Sequence, residues 1–574
     1  MARLPVIVQS DRTILLEVDN PLYEEARDAL SGFSELLKSP EHMHTYQLSA
    51  LSLWNAMASG IRAEAITEAL GRFSQYPVPE PVAQFIRDQE VRFGRLKLLA
   101  APDGDGLWLT SDDPMALSEV GRTKPVLPYL YGPLHPGYRI RPEYRGLLKQ
   151  ALAKAGWPVD DVAGYEPGAP LVFDLAESLP DGSPFVLRPY QEDAVRSFWG
   201  EGRIDRGNGV VVLPCGAGKT VVGLGAMWMA KTHTLILTTS TAALHQWQRE
   251  LLEKSTLTRD QVGEYSATVK DIRPVTVTTY QMLTHRKNGS FPHFEALDKH
   301  PWGLIIYDEV HLLPAPMFRL TASLQARRRL GLTATLIRED GRAEDVFALI
   351  GPKRFDMPWK VLEEQGWIAV ARCREIRVQL PQAVREAYAV AEDTERVRIA
   401  AENPAKIQVV ESLLENHADD HVLVIGQYLG QLERMAQHFH APLITGKTPN
   451  KERERLYESF RSGEIPRLFV SKVGNFAIDL PDANVAIQIS GTFGSRQEEA
   501  QRLGRILRPK GEGVMATFYS IVSEDSKEQD FAQKRQLFLC EQGYRYEIAH
   551  AAPDGSPRES LAPVIPFPMG VIHE

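Results

Sequence analysis

From Leu187 onward, short apolar runs alternate with segments of helical periodicity: GVVVLP then VVGLGAMWMA, THTLILTT then AALHQWQREL, followed by PVTVTT, GLIIYD and RLGLTA. An apolar run too short for a helix, followed by a helix, is the pattern of a buried parallel strand with its crossover, because helices cover both faces of a parallel sheet. The texture returns after Pro404 in HVLVIGQ, QLERMAQHF, APLIT, KERERLYESF, RLFVSK and NVAIQIS. Two α/β domains in tandem are expected. At about 150 residues per domain, a chain of 574 residues leaves room for two smaller modules before them.

The first strand–helix step carries the clearest chemistry. GVVVL runs into Pro214-Cys215-Gly216-Ala217-Gly218-Lys219-Thr220 and then a helix. Glycines let backbone N–H groups close around phosphate oxygens, and the helix N-terminus faces the same anion. Lys219 can reach the β- and γ-phosphates, and the Thr220 hydroxyl can ligate Mg²⁺. Leu213 stands where the strict phosphate-loop pattern has its first glycine, but Gly-Ala-Gly-Lys-Thr is intact. A second apolar strand ends in Asp308-Glu309-Val310-His311. The ends of strands in an open α/β sheet face the ligand crevice. There Asp308 suits Mg²⁺, and Glu309 suits orienting and deprotonating an attacking water.

Other segments point the same way. Thr333-Ala334-Thr335 follows the strand-like RRLGL and would by itself be a small-residue turn. In Gln501-Arg502-Leu503-Gly504-Arg505-Ile506-Leu507-Arg508, Arg505 and Arg508 fall on one helical face. They are either a solvated basic face or arginine fingers for a phosphate held by the preceding domain. Thr239-Ser240-Thr241, Thr278-Thr279 and Ser471-Lys472 are candidates for gripping nucleic-acid phosphates without reading sequence. The same Thr and Ser residues are equally suited to cap helices.

The formal charge of −9 excludes a protein that holds nucleic acid by bulk positive charge, but not one with a local basic track. Cys215, Cys373 and Cys540 are far apart, so neither a zinc finger nor a four-cysteine iron–sulfur cluster is expected. Nor is a disulfide framework, which points to a reducing cytosol. Gln9, Asp11 and Arg12 interrupt the N-terminal apolar run, so no signal peptide is expected. No apolar stretch reaches the roughly 18 residues of a membrane span.

In this order, Gly216–Thr220, Asp308–His311, Thr333–Thr335 and Gln501–Arg508 resemble the DExH helicases of superfamily 2, and more closely the XPB family of DNA repair helicases. Further blocks carry the closer likeness: Leu187-Arg188-Pro189-Tyr190-Gln191, the Arg338-Glu339-Asp340 element in GLTATLIRED, Ile350-Gly351-Pro352-Lys353, Ser471-Lys472-Val473-Gly474 with Asp479-Leu480-Pro481, and Ser495–Ala500 leading into Gln501. KSPEHMHTYQLSALSLWNA looks like the N-terminal domain of bacterial XPB-type proteins.

The resemblance implies two RecA-like motor domains using ATP and Mg²⁺. Arg188 and Gln191 would read the adenine, and Gly216, Ala217, Gly218, Lys219, Thr220 and Asp308 would hold ATP and the metal. Glu309 would activate water, while His311 and Gln501 would couple the domains. Asp479 would lie near the ribose, Arg505 and Arg508 would sense the γ-phosphate, and Arg338, Glu339 and Asp340 would sit where the duplex parts. It also implies 3′-to-5′ polarity, single-stranded DNA and fork or duplex junctions as partners, and a cytoplasmic, nucleoid-associated location, and it leaves room for a nuclease partner.

The expected organisation is an N-terminal helicase-associated domain at 1–95 and an α+β module resembling the XPB damage-recognition domain at 96–180. Motor domain 1 follows at 181–380, a thumb-like insertion or connecting helix at 381–403, motor domain 2 at 404–550 and a tail at 551–574. Three alternatives are a DNA translocase or protein–DNA remodeller that separates no strands, an RNA-directed DExH helicase, and a scaffold with a degenerate site. The intact Lys219, Asp308, Glu309 and Arg505 argue against the scaffold.

Overall fold

The computed structural model describes residues 3–39, 42–163, 168–203, 206–214, 216–287, 289–313, 324, 326–334, 343–471, 483–491, 515–541, 546–552 and 557–559. The chain divides into two compact units, Met1–Gln365 and Gly366–Glu574. Among the described residues no helix is long and apolar enough to cross a membrane.

Unit one opens with an antiparallel sheet in the order Val6–Val8, Thr13–Glu17, Met43–Gln47, Glu35–Lys38. Four helices accompany it, among them Ala50–Ala58 and Ala63–Phe73. Ser49 starts the first of these with a reciprocal cap, its Oγ accepting from the Ser52 N–H at 3.0 Å while the Ser52 hydroxyl accepts from the Ser49 N–H at 3.1 Å. Gly60, at φ +95°, turns the chain between the two helices.

A five-stranded sheet follows, ordered Gly132–Pro133, Tyr138–Ile140, Leu107–Ser111, Leu96–Ala100, Val159–Asp161. Helix Arg145–Lys154 is fastened to the last of these strands. Asp161 accepts from Arg145 Nε at 2.8 Å and from Lys149 Nζ at 3.1 Å; burial alone would raise its carboxyl, but Lys149 and Arg145 outweigh it and hold it well below the usual range.

The largest sheet of unit one is wholly parallel. Its order is Val262–Tyr265, Val275–Thr279, Thr234–Thr238, Leu304–Asp308, Arg328–Thr333, Asn208–Val212, Lys353–Asp356. The strands Asn208–Val212, Thr234–Thr238 and Leu304–Asp308 are buried on both faces along most of their length, as their apolar sequences require. Residues 168–180, read from the sequence as the end of the second module, lie along this motor sheet instead. The N–H groups of Leu171 and Ala176 donate to the carbonyls of Lys231 and Lys254, which sit at helix C-termini and have no partner within their helices.

The small modules pack on the motor through helix Ala343–Leu349. Phe347 on it meets Trp54 with ring centroids 5.7 Å apart, and Leu51, Ala153 and Ala348 complete the apolar seam. Beside the seam, Asn55 Oδ1 accepts from the backbone N–H of Lys353 at 2.9 Å, where the outermost motor strand begins.

Unit two holds an eight-stranded sheet: Leu443–Ile444, Arg467–Ser471, Val422–Gly426, Val485–Gln488, Ala516–Ser523, Ala371–Val378, Tyr546–Ala551, Pro557–Glu559. All neighbours are parallel except the last pair. Ala371–Val378 had been placed by sequence in motor domain 1, but it is a central strand here. Its charges are paired: Arg377 with Glu375 at 2.9 Å and Arg372 with Glu547 at 2.8 Å. Helices Gln382–Val390 and Asp393–Ala401 fill the stretch read as a thumb or connector, and the first buries none of its residues. Lys406 is fully buried, and its Nζ donates to the Ile489 carbonyl at 2.8 Å and to both Glu528 oxygens at 2.8 Å.

Candidate functional site

The strand Asn208–Val212 delivers the glycine loop, and helix Lys219–Ala230 leaves it. Gly216 and Gly218 have φ of +83° and +78°, the left-handed region that glycine enters without a Cβ penalty. Helix Lys219–Ala230 has Gly218 as its N-cap, a residue with no side chain to cap it. Its leading N–H groups and its dipole thus face the loop, an arrangement that fits phosphate oxygens.

The segment preceding this strand braces the loop from behind. Tyr190 Oη and Gln191 Nε2 both donate to the Ala217 carbonyl, at 2.8 and 3.0 Å. Gln191 Oε1 accepts from the Arg188 N–H at 3.0 Å, and Arg188 donates to Tyr190 Oη at 3.1 Å. A Cβ on Gly218 would lie 2.5 Å from Gln191 Nε2, so the loop closes on this brace only with glycine there.

Asp308 ends the strand Leu304–Asp308. One strand, Arg328–Thr333, separates it from the loop strand, a spacing the sequence did not reveal. Thr333 at the end of that strand fills the gap, its Oγ1 2.6 Å from His311 Nδ1.

Consecutive strand residues point to opposite faces, so a continued strand would have sent Asp308 and Glu309 apart. Instead Glu309 takes a left-handed backbone, φ 49° and ψ 54°, a conformation that costs a non-glycine residue about 1–2 kcal/mol. The turn places Glu309 Oε1 3.1 Å from Lys219 Nζ and Oε2 3.4 Å from His311 Nδ1.

The two carboxylates are driven apart electrostatically. Burial, then the neighbouring Glu309, pushes Asp308 up to about 6, against the pull of Trp247 and Lys219. Burial also acts on Glu309, but Lys219 and then His311 outweigh it and hold Glu309 below the usual range. The result is an ionised Glu309 beside a cation, and an Asp308 whose charge a divalent ion would stabilise. The hard oxygen donors of Asp308 and Thr220 fit Mg²⁺.

Two contacts to Asp308 were not foreseen. Trp247 Nε1 donates to Asp308 Oδ2 at 3.0 Å, and Tyr280 Oη donates to the Asp308 backbone carbonyl at 2.8 Å. The one sequence signal for the first is a tryptophan two turns into an otherwise polar stretch, HQWQRE.

Of the residues proposed to grip DNA, Ser240 caps helix Thr241–Lys254, accepting from Ala243 N–H at 3.2 Å, and Thr279 caps Tyr280–Thr284, accepting from Met282 N–H at 3.4 Å. Thr239 follows directly on the strand Thr234–Thr238. Thr278 is fully buried, and its hydroxyl donates to the Tyr265 carbonyl at 2.7 Å. Ser471 closes the strand Arg467–Ser471 in unit two. Thr335, Arg338, Glu339, Asp340, Lys472, Asp479, Gln501, Arg505 and Arg508 lie outside the described residues.

Three family models match the chain. "ERCC3/RAD25/XPB C-terminal helicase" covers residues 362–562 and "Type III restriction enzyme, res subunit" covers 184–338. "Helicase conserved C-terminal domain", despite its description, covers residues 6–131 near the N-terminus. The chain is 55% identical over 548 residues to a protein of Kineococcus radiotolerans named "DNA 3'-5' helicase XPB", covering 95% of this chain and 96% of that one. It is 53% identical to the protein of the same name from Mycobacterium tuberculosis, over 95% of this chain and 98% of that one. It is 32% identical to the "General transcription and DNA repair factor IIH helicase/translocase subunit XPB/SSL2" of Saccharomyces cerevisiae, over 94% of this chain and 71% of the yeast protein.

Proposed function

Since the chain belongs to the XPB family of superfamily 2 DNA helicases, we propose that it hydrolyses ATP at the Gly216–Thr220 loop to move 3′-to-5′ on DNA and open duplex junctions. The observation that carries this is the grouping of Lys219, Asp308 and Glu309 at the carboxyl edge of one parallel sheet, with Lys219 Nζ 3.1 Å from Glu309 Oε1. Loop N–H groups hold the phosphate chain, and Lys219 draws the β- and γ-oxygens. Thr220 and Asp308 are the residues that would hold Mg²⁺, which when bound neutralises charge on the phosphate oxygens. Glu309, kept ionised by Lys219 and His311, orients the attacking water and takes its proton. Arg188 and Gln191 keep the adenine-reading role that the family likeness gives them. Asp479, Gln501, Arg505 and Arg508 keep the ribose and γ-phosphate roles that the family likeness gives them, as Arg338, Glu339 and Asp340 keep the strand-parting role.

The grip on DNA is assigned to Thr239, Ser240, Thr279, Ser471 and Lys472, with local contacts rather than bulk charge; Thr278, fully buried with its hydroxyl on the Tyr265 carbonyl, drops out of the set. Binding should then be strongly salt-dependent. A nuclease partner, junction preference and nucleoid association complete the proposal.

A strand-separation assay on duplexes with a 3′ or a 5′ tail tests it. Opening of the 3′-tailed duplex alone, dependent on ATP and lost in Glu309→Gln, is expected. ATP-driven translocation without separation on either tail would overturn the helicase assignment. A second check concerns the loop itself. Gly218→Ala should weaken ATP binding about tenfold, from the left-handed backbone penalty and the collision with Gln191. Titration with a fluorescent ATP analogue measures this, and an unchanged Kd would show that the brace does not shape the site.

A further inference from the structure

Resting on the ATP-driven movement on DNA proposed above, we propose that Trp247 and Tyr280 are a pair of positioning residues that report DNA engagement to Asp308 directly, bypassing the phosphate loop. Two segments at the carboxyl edge of the motor sheet are capped where DNA phosphates would be gripped, one by Ser240 and one by Thr279. Each sends one aromatic donor to the same residue. Trp247, two turns into the helix that Ser240 starts, donates its indole N–H to Asp308 Oδ2 at 3.0 Å. Tyr280, the residue after Thr279, donates its phenol to the Asp308 carbonyl at 2.8 Å.

Both side chains are nearly inaccessible, Trp247 at 1% and Tyr280 at 3% exposed. A buried indole N–H needs an acceptor, and any neighbouring backbone carbonyl would satisfy it. Here it takes an oxygen of the carboxylate assigned to the metal. The ring is also tightly seated, since a Cβ on Gly223 of helix Lys219–Ala230 would come within 2.5 Å of its Cη2. In a close-packed interior such a ring cannot turn independently, so it moves with its helix.

The two bonds hold Asp308 from two sides, one at the carboxylate and one at the main chain. When either segment shifts on taking a phosphate, the donor it carries shifts on Asp308. Each contact therefore ties the geometry of the hydrolytic site to occupancy of the track. Such a link must work both ways, because coupling between two binding sites is reciprocal.

The test uses the full chain with Tyr280→Phe, which removes only the hydroxyl donor, and Trp247→Phe, which removes the indole donor together with one of its two rings; lost packing alone would lower stimulated and unstimulated turnover together. Two quantities are measured: the factor by which single-stranded DNA stimulates ATP turnover, and the factor by which a non-hydrolysable ATP analogue changes the Kd for a labelled DNA strand. Trp247→Phe is expected to shrink both factors by about tenfold, and Tyr280→Phe to shrink them in the same direction by less. Stimulated and unstimulated turnover falling by one common factor, with the analogue-dependent change in DNA affinity intact, would overturn the proposal and mark the residues as structural. Unchanged factors in both variants would overturn it as well. A wild-type protein whose turnover DNA does not stimulate would instead overturn the motor function on which the relay rests.

Discussion

Lys219→Ala is expected to reduce DNA-stimulated ATP turnover by about 10²- to 10³-fold, the cost of losing one preorganised charge donor at a reacting phosphoryl group. The loss has two sources. Lys219 is the point charge proposed to draw the phosphates, and its Nζ is also the cation 3.1 Å from Glu309 Oε1. Removing it takes away the first of the two partners that hold Glu309 ionised against its burial. Two comparisons separate these roles. Glu309→Gln should abolish turnover while ATP binding survives, because the phosphate contacts remain. Lys219→Ala should lose both. Combining the two changes should add little to either, since residues that act as a unit are not additive. Steady-state ATPase with saturating DNA, beside nucleotide-binding titrations, measures all three variants. Turnover above a tenth of wild type in Lys219→Ala would remove this lysine from the reaction.

The second large effect lies in unit two. Lys406→Met should destabilise that unit by about 3–5 kcal/mol, the cost of stranding a buried carboxylate without its cation. Lys406 Nζ spends its donors on Ile489 and both oxygens of Glu528, and Glu528 also accepts from the Ser523 N–H at 2.9 Å. Neither side chain reaches water: Lys406 is fully buried and Glu528 is 3% exposed. The pair ties the end of the strand Val485–Gln488 to the start of helix Lys527–Glu541. Two units need not unfold as one, so hydrogen exchange at the amides of Val485–Gln488 and Ala516–Ser523 is the suitable measurement. Exchange there should accelerate by at least about 10²-fold. Lys406→Met with Glu528→Leu should recover most of the loss, because an apolar pair strands no charge. If the double variant exchanges as fast as the single one, the ion pair is not what holds these elements together.

Much of the fold could be read from residues because burial on both faces leaves an unambiguous mark. The runs GVVVL, TLILT and LIIYD permit little but parallel strands, and each was found as one. Ala371–Val378 escaped because four of its eight residues, Arg372, Arg374, Glu375 and Arg377, are charged, and Arg372 and Arg374 find their partner in Glu547, remote in sequence. Residues 168–180 escaped for a related reason. Their attachment is backbone to helix ends, which no side-chain pattern encodes.

At the site, Gly216–Thr220 and Asp308-Glu309 were legible because their chemistry is local in sequence. The strand between them, the left-handed turn at Glu309 and the two aromatic donors on Asp308 were not. Each depends on which strands become neighbours, and strand order is a property of the assembled sheet.

The seam around Trp54 and Phe347 bears on how such a protein can change over generations. The outermost motor strand, Lys353–Asp356, begins under Asn55, and Phe347 finds its apolar cover on a helix of the first module. An open sheet edge and an uncovered aromatic are liabilities for any separate motor. The leading modules are therefore not interchangeable attachments. A lineage that discards or replaces them must at the same time redraw the surface at Phe347 and Lys353, so the front of the chain and its engine are constrained to evolve together.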